Sequence, residues 1–197
     1  TLYEALLLFL QDPYRRHHKP SLGMVQRLDR GTSGLIAFSI HPRAHKKMTE
    51  IFLEHQIEKR YLALVAGTPE PKSGKICSSL ARSRKDNRVK SVEKGGKEAI
   101  TRYRVLEDWQ DVSLLDIELL TGRMHQIRAH MSEQGHPLLG DGRYGGPAKF
   151  EQFIFERPLL HAQELHFEHP VTGEKLDFST PIPVDMNNLI VELKSRS

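Results

Sequence analysis

Apolar residues recur along this chain at two spacings, and each spacing predicts a different element. After Pro42 they fall at Ala44, Met48, Ile51 and Phe52, the rhythm of a helix with one buried face. Pro42 stands where a first helical turn tolerates it, so a helix is predicted over His41–His55. Leu2–Leu10 predicts a short helix running into a loop at Pro13–Ser21. Met124–Gln134 predicts another, closed by Gly135 as a C-terminal cap, and Val184–Lys194 a last one. Short apolar runs bounded by turn residues predict strands: Leu35–Ser39 as a buried strand, Arg60–Ala66 closed by Gly67, then Ala99–Leu106 and Val112–Leu120. The last two are joined by the turn Glu107–Asp111, in which Trp109 reads as a packing residue. Leu160–Phe167 and Lys175–Ser179 predict a hairpin turning at Pro170–Gly173. The polar stretch Thr68–Lys97 predicts a loop with a short strand around Lys75–Leu80. Many strands with few helices between them predict an α+β fold on a mixed, mainly antiparallel sheet with flanking helices.

Composition narrows this little. The 197 residues are 38% hydrophobic, enough for a core, and are expected to form one domain over 1–197. No run approaches the roughly 18 apolar residues of a membrane span. Ala5–Leu10 is too short for the core of a signal peptide. Cys77 is the single cysteine, which excludes an internal disulfide and a cysteine-built zinc site and fits the reducing cytoplasm.

Charge changes the picture more. The net charge is +4, but Arg82–Lys97 alone carries seven basic and two acidic residues, so the rest of the chain is close to −1. A flexible basic segment suits a polyphosphate partner, whose counterions it would release. On charge alone a solvated surface loop is the plainer reading.

Three clusters can carry chemistry. In Gln26–Gly34 (QRLDRGTSG) a carboxylate, Asp29, lies between Arg27 and Arg30 in a Gly/Ser/Thr loop. Guanidinium groups favour the charged form of a neighbouring carboxylate, which then serves as nucleophile or base. The arginines can instead hold phosphate, and the Asp can simply cap a turn. In Thr121–His130 (TGRMHQIRAH), Arg123 and Arg128 flank a strand-to-helix junction of the kind that attracts anions. An ordinary amphipathic helix is the plainer alternative. The third cluster is histidine: His161, His166 and His169, with His41 and His45 four apart. No carboxylate completes a ligand set, and His161 and His166 are expected on opposite sides of their strand, so no metal is expected. Tyr61 opens a strand behind Glu58, Lys59 and Arg60, where a flat ring could stack on an extruded base. No phosphate-loop, dinucleotide or serine-hydrolase motif is present.

The string RLDRGTSGLIAF, followed by HPRAHKKMTEIFLEHQIEKRYLALVAG, strongly resembles the RluA family of RNA pseudouridine synthases. LLTGRMHQIRAHMSEQGHPLLGDGRYGG and LLHAQELHFEHPVTGEKLDFSTPIP continue the resemblance, in order, to about Pro183. It implies a long, mostly antiparallel sheet crossed by an RNA cleft, and isomerisation of uridine to pseudouridine without a cofactor. By position it implies that Asp29 acts at the ribose, by attack at C1′ or by removing the 2′ proton to give a glycal. It likewise implies that Tyr61 stacks on the flipped base and that Arg128 pairs with Asp29. Arg27 would help open the RNA, with Arg30, Arg123, His125 and Gln126 in the same RNA-binding region, and Ile127 or Leu160 would wall the uracil pocket. The family usually has His where Gln26 stands; Gln also donates and accepts hydrogen bonds, so activity is expected to survive, with room for an altered RNA contact. The chain starts at Thr1, and the family's upstream strand and the N-terminal RNA-binding module of many members are expected to be missing from it. Large-subunit ribosomal RNA is the expected partner of a monomer, transfer RNA the alternative. An inactive RNA-binding assembly factor and a metal-dependent RNA hydrolase are the readings from other classes.

Overall fold

A computed structural model describes residues 1–11, 20–54 and 56–196. The predicted loop at Pro13–Ser21 lies largely outside the described residues, as does His55. The elements run α1 (Leu2–Phe9), β1 (Gly23–Met24), β2 (Ser33–Gly34), β3 (Phe38–Ser39), α2 (Pro42–Leu53), β4 (Ile57–Ala66), β5 (Ser73–Arg82) and β6 (Val89–Ser91). They continue with β7 (Lys97–Asp108), β8 (Val112–Leu119), α3 (Gln126–Glu133), β9 (Lys149–Phe150), β10 (Phe153–Ile154), β11 (Leu160–Glu168), β12 (Lys175–Ser179) and α4 (Val184–Lys194).

The main sheet has the order β12-β11-β4-β8-β7-β5-β6, with β2 added beside β11. Neighbours along the path are antiparallel, and β2 alone runs parallel to its partner. The mixed, mainly antiparallel α+β expectation is therefore met. β4 is buried on both faces over Tyr61–Val65, which is why that part of it reads as an unbroken apolar run, whereas Ile57–Arg60 alternates. On one face Tyr61, Ala63, Val65, Leu115 and Ile117 pack under Ile127 and Met131 of α3. On the other, Leu62, Leu64 and Leu114 pack under Met186, Leu189, Ile190 and Leu193 of α4. α2 covers the first face at its other end, through Met48 and Phe52 against Ile57 and Leu165. Where α4 stops, the second face turns charged: Asp116 takes both Arg60 and Arg104, and Glu118 takes Arg102. No described helix is long and apolar enough to cross a membrane.

The structure corrects four expectations. Leu35–Ser39 is not a buried strand: only Phe38–Ser39 pairs, with β1, while Leu35 and Ala37 bury themselves by packing beside α2. The stretch Thr68–Lys97 is largely sheet, because β5 pairs residue for residue with β7, its Ile76, Ser78 and Leu80 standing beside Thr101, Ala99 and Lys97 on one face. α3 begins at Gln126 rather than Met124, because His125 adopts a left-handed conformation (φ 52°) that no helix continues through. Finally, β11 carries a bulge between Ala162 and Glu164. The extra residue shifts the alternation, so His161 and His166, opposite Leu62 and Glu58, share one face after all.

Candidate active site

A cleft of about 670 Å³ opens on the α3 face of the sheet, lined among others by Arg27, Asp29, Lys59, Tyr61, Arg123 and His125. Arg30, Gln126, Ile127 and Leu160 line it too. Residues more than 90 positions apart thus meet on one surface, because β2, β11, β4 and β8, with the junction that leads from β8 into α3, lie side by side.

Asp29 is carried on a turn closed by the Thr32 N–H donating to its carbonyl at 3.0 Å, with Gly31 at φ 87°. The turn leads straight into β2, whose Gly34 sits against β11. A Cβ there would stand 2.2 Å from the Ala162 carbonyl oxygen, and φ is 108°, so only glycine allows the approach. Arg157 fastens the loop from below: it donates to the Gly31 carbonyl at 3.1 Å while its other nitrogens clasp Asp185 of α4 at 2.7 Å.

Arg128 points at Asp29 from α3, Nη1 to Oδ2 at 3.8 Å. Its stronger partner is Asp141, which accepts from Nε at 2.7 Å and from Nη2 at 2.8 Å. Asp141 is 1% exposed and Arg128 6%. The guanidinium also lies over the Tyr144 ring, 5.0 Å from its centroid. Burial opposes the Arg128 charge, but the hydrogen bonds and charge of Asp141, then Asp29, outweigh it and raise its pKa. A bidentate clamp on a buried carboxylate fixes two of the three nitrogens and leaves the third for the cleft.

Tyr61 lies on the cleft face of β4. Burial, and after it the Asp29 charge, pushes its hydroxyl up to about 12, so it stays a phenol. His125 is held by Tyr144: the phenol oxygen accepts from the Val89 N–H at 2.8 Å and lies 2.9 Å from His125 Nδ1. Burial lowers the His125 pKa, against the pull of Asp29. The phenol hydrogen is free for Nδ1 of a neutral ring, which places the imidazole hydrogen on Nε2.

Arg27 and Arg30 are exposed at the rim. Gln126 is 2% exposed and spends its amide inside the chain: Oε1 accepts from Thr121 and the Arg123 N–H, and Nε2 donates to the Ile100 carbonyl and Thr101. It supports the loop that carries Arg123, where a direct RNA contact was expected. Gln26 has its Nε2 buried without a partner among the described residues. Several histidines have local structural partners. His41 accepts the Arg43 N–H at the start of α2, His45 bonds Ser39, His130 bonds Ser78 and Thr101, and His166 lies between Asp177 and Glu164. Among the described residues no three His, Cys, Asp or Glu side chains come together as a metal site.

Sequence reasoning missed Lys59, Asp141, Tyr144 and Arg157. Lys59 was legible in principle, since residues two apart in a strand share a face and Lys59 is two before Tyr61. Asp141 and Tyr144 had only the Gly-rich string GDGRYGG to mark them.

A family model described as RNA pseudouridylate synthase matches residues 4–133. The chain belongs to the RNA pseudouridylate synthase family. The synthase match spans Asp29, Lys59, Tyr61, Arg123, His125 and Arg128 and ends before Asp141. A Chlorobaculum parvum protein described as an uncharacterized RNA pseudouridine synthase is 42% identical over 88% of this chain and 58% of its own length. Ribosomal large subunit pseudouridine synthase D of Vibrio cholerae is 38% identical over 89% of this chain and 57% of its own. The chain thus spans somewhat more than half the length of these curated relatives. The solved structure of human RNA pseudouridylate synthase domain containing 4 superposes with a TM-score of 0.80 over 97% of this chain and 83% of its own. At 23% identity that likeness shows the synthase fold.

Proposed function

We propose that this chain is the catalytic domain of an enzyme that isomerises uridine to pseudouridine in structured RNA, with large-subunit ribosomal RNA as substrate. The observation that carries the reading is Asp29: one carboxylate in a basic cleft, faced by a clamped Arg128, with the Tyr61 ring beside it. The reaction breaks the N1–C1′ bond and forms a C5–C1′ bond. The C5 proton goes to solvent and N1 takes one up, so the net change is an isomerisation. Asp29 acts at the ribose, by attack at C1′ or by taking the 2′ proton. Tyr61 supplies a flat, uncharged surface for the extruded base. Arg27, Arg30, Arg123 and His125 face the strand around it. The choice of ribosomal RNA rests on the description of the Vibrio cholerae relative. The test is a pseudouridine map of ribosomal and transfer RNA from cells lacking the gene, complemented with wild type or Asp29→Asn. Sites restored in ribosomal RNA by wild type alone support the reading, and equal restoration by Asp29→Asn refutes it.

A further inference from the structure

Lys59 is the least expected side chain in the cleft. It is 7% exposed, yet no carboxylate among the described residues pairs with it. Its ammonium lies beside the β8–α3 loop, where a Cβ on Gly122 would meet Nζ at 3.6 Å. Burial lowers its pKa, and the one charge that adds to this is a second cation, Arg123. Arg123 is itself aimed, its Nε donating to the Glu98 carbonyl at 2.8 Å. Two cations brought together in a half-closed cleft cost stability unless an anion joins them.

We propose, on the reading that this cleft takes RNA, that Lys59 and Arg123 together seat one phosphodiester next to the nucleotide that enters it. Uracil and ribose are neutral, so a pair of cations in this cleft has a backbone phosphate as its natural partner. Lys59 is one side-chain step, about 7 Å along β4, from the Tyr61 ring. A base stacked on that ring has its neighbouring phosphate within reach of this step. A compact ammonium beside an oriented guanidinium suits a tetrahedral oxyanion. Lys59 is therefore a binding residue whose buried charge is repaid only when RNA is present.

Binding to a short transcribed hairpin of large-subunit ribosomal RNA, measured across salt concentrations, tests this with Lys59→Met, Arg123→Gln and the double variant. Each single change is expected to reduce the slope of log K against log salt by about 0.7 to 0.9, which is about five- to eightfold in affinity at 0.1 M salt. The double variant is expected to lose the same single phosphate and no more. The free Lys59→Met protein is expected to melt about 2 °C or more above wild type, since it sheds an unpaired buried charge. An unchanged slope for Lys59→Met, a double variant that loses two phosphates, or a Lys59→Met protein that melts lower would each overturn the assignment. Pseudouridine is scored in the same samples: failure of the proposed reaction shows in the wild type, whereas failure of the phosphate seat shows only between slopes.

Discussion

Asp141→Asn removes one negative charge from the back of the site and leaves its shape. Arg128 and Asp141 form a bidentate pair at 2.7 and 2.8 Å with almost no solvent contact. Breaking a buried pair from one side costs about 3–5 kcal/mol. Here the low end applies: Arg128 keeps the Tyr144 ring and Asp29 at 3.8 Å, and Asn retains one carbonyl acceptor. About 3 kcal/mol in a chain of this size is a fall in Tm of about 6–12 °C. The guanidinium, released by Asp141, moves towards Asp29, and a displacement of about 1 Å at a reacting group is worth about a hundredfold in rate. Calorimetry gives the first quantity, and single-turnover pseudouridine formation well below the variant's Tm gives the second. A variant that melts within about 1 °C of wild type would refute the claim that this pair holds the site together.

Asp29→Asn is expected to lower turnover by about 10²–10⁴-fold while RNA affinity stays near wild type, read by filter binding. The half-buried His125 and the buried His130 and His161 have pKa values below their ordinary 6.5, so the unfolded chain binds more protons just below pH 6.5. Their contribution to stability is complete above pH 6.5 and is lost as pH falls through their folded values, whereas His166, raised chiefly by Asp177, contributes below 6.5 and fades as pH rises. Three groups against one predict that Tm falls from pH 7 to pH 5, and a flat or rising Tm contradicts the burial assigned to them. Gly34→Ala is expected to weaken the chain by more than the roughly 1 kcal/mol of an ordinary glycine replacement, because its Cβ meets backbone; denaturant unfolding reads the loss. Replacing Arg84, Lys85 and Arg88 with Ala on the β5–β6 hairpin is expected to flatten the salt dependence of RNA binding by roughly one to three phosphates. Arg88 counts least, since Asp86 lies 3.9 Å from it.

Much of the scaffold was legible because its periodicities are local. The helix before β4 and the β7–β8 pair follow from spacing alone, and β4 from its apolar run. The paths of the Leu35–Ser39 and Thr68–Lys97 stretches were not legible, because what decides them is distant. Leu35 donates to the Ala162 carbonyl across the fold, and β5 is ordered by eight pairings with β7. The His161 and His166 error has the same root, a bulge that one sequence does not announce. In the site, Asp29, Tyr61 and Arg128 were named through resemblance, and the chemistry of their spacing reached only an Arg-flanked carboxylate. Asp141 escaped because its role exists only once the Gly140–Gly146 loop folds back on α3. Gly140 makes that return possible: a Cβ there would meet the Arg157 carbonyl oxygen at 1.9 Å.

The central claim is that Asp29 drives the conversion of uridine to its C5-linked isomer, and the reaction itself supplies the readout. Forming the C5–C1′ bond expels the hydrogen on C5, so RNA transcribed with 5-tritiated uridine releases tritium to water once per conversion. The purified chain, incubated with such large-subunit ribosomal RNA, is predicted to release tritium, and Asp29→Asn to release none above background while still binding the RNA. Equal release by both proteins would contradict the account.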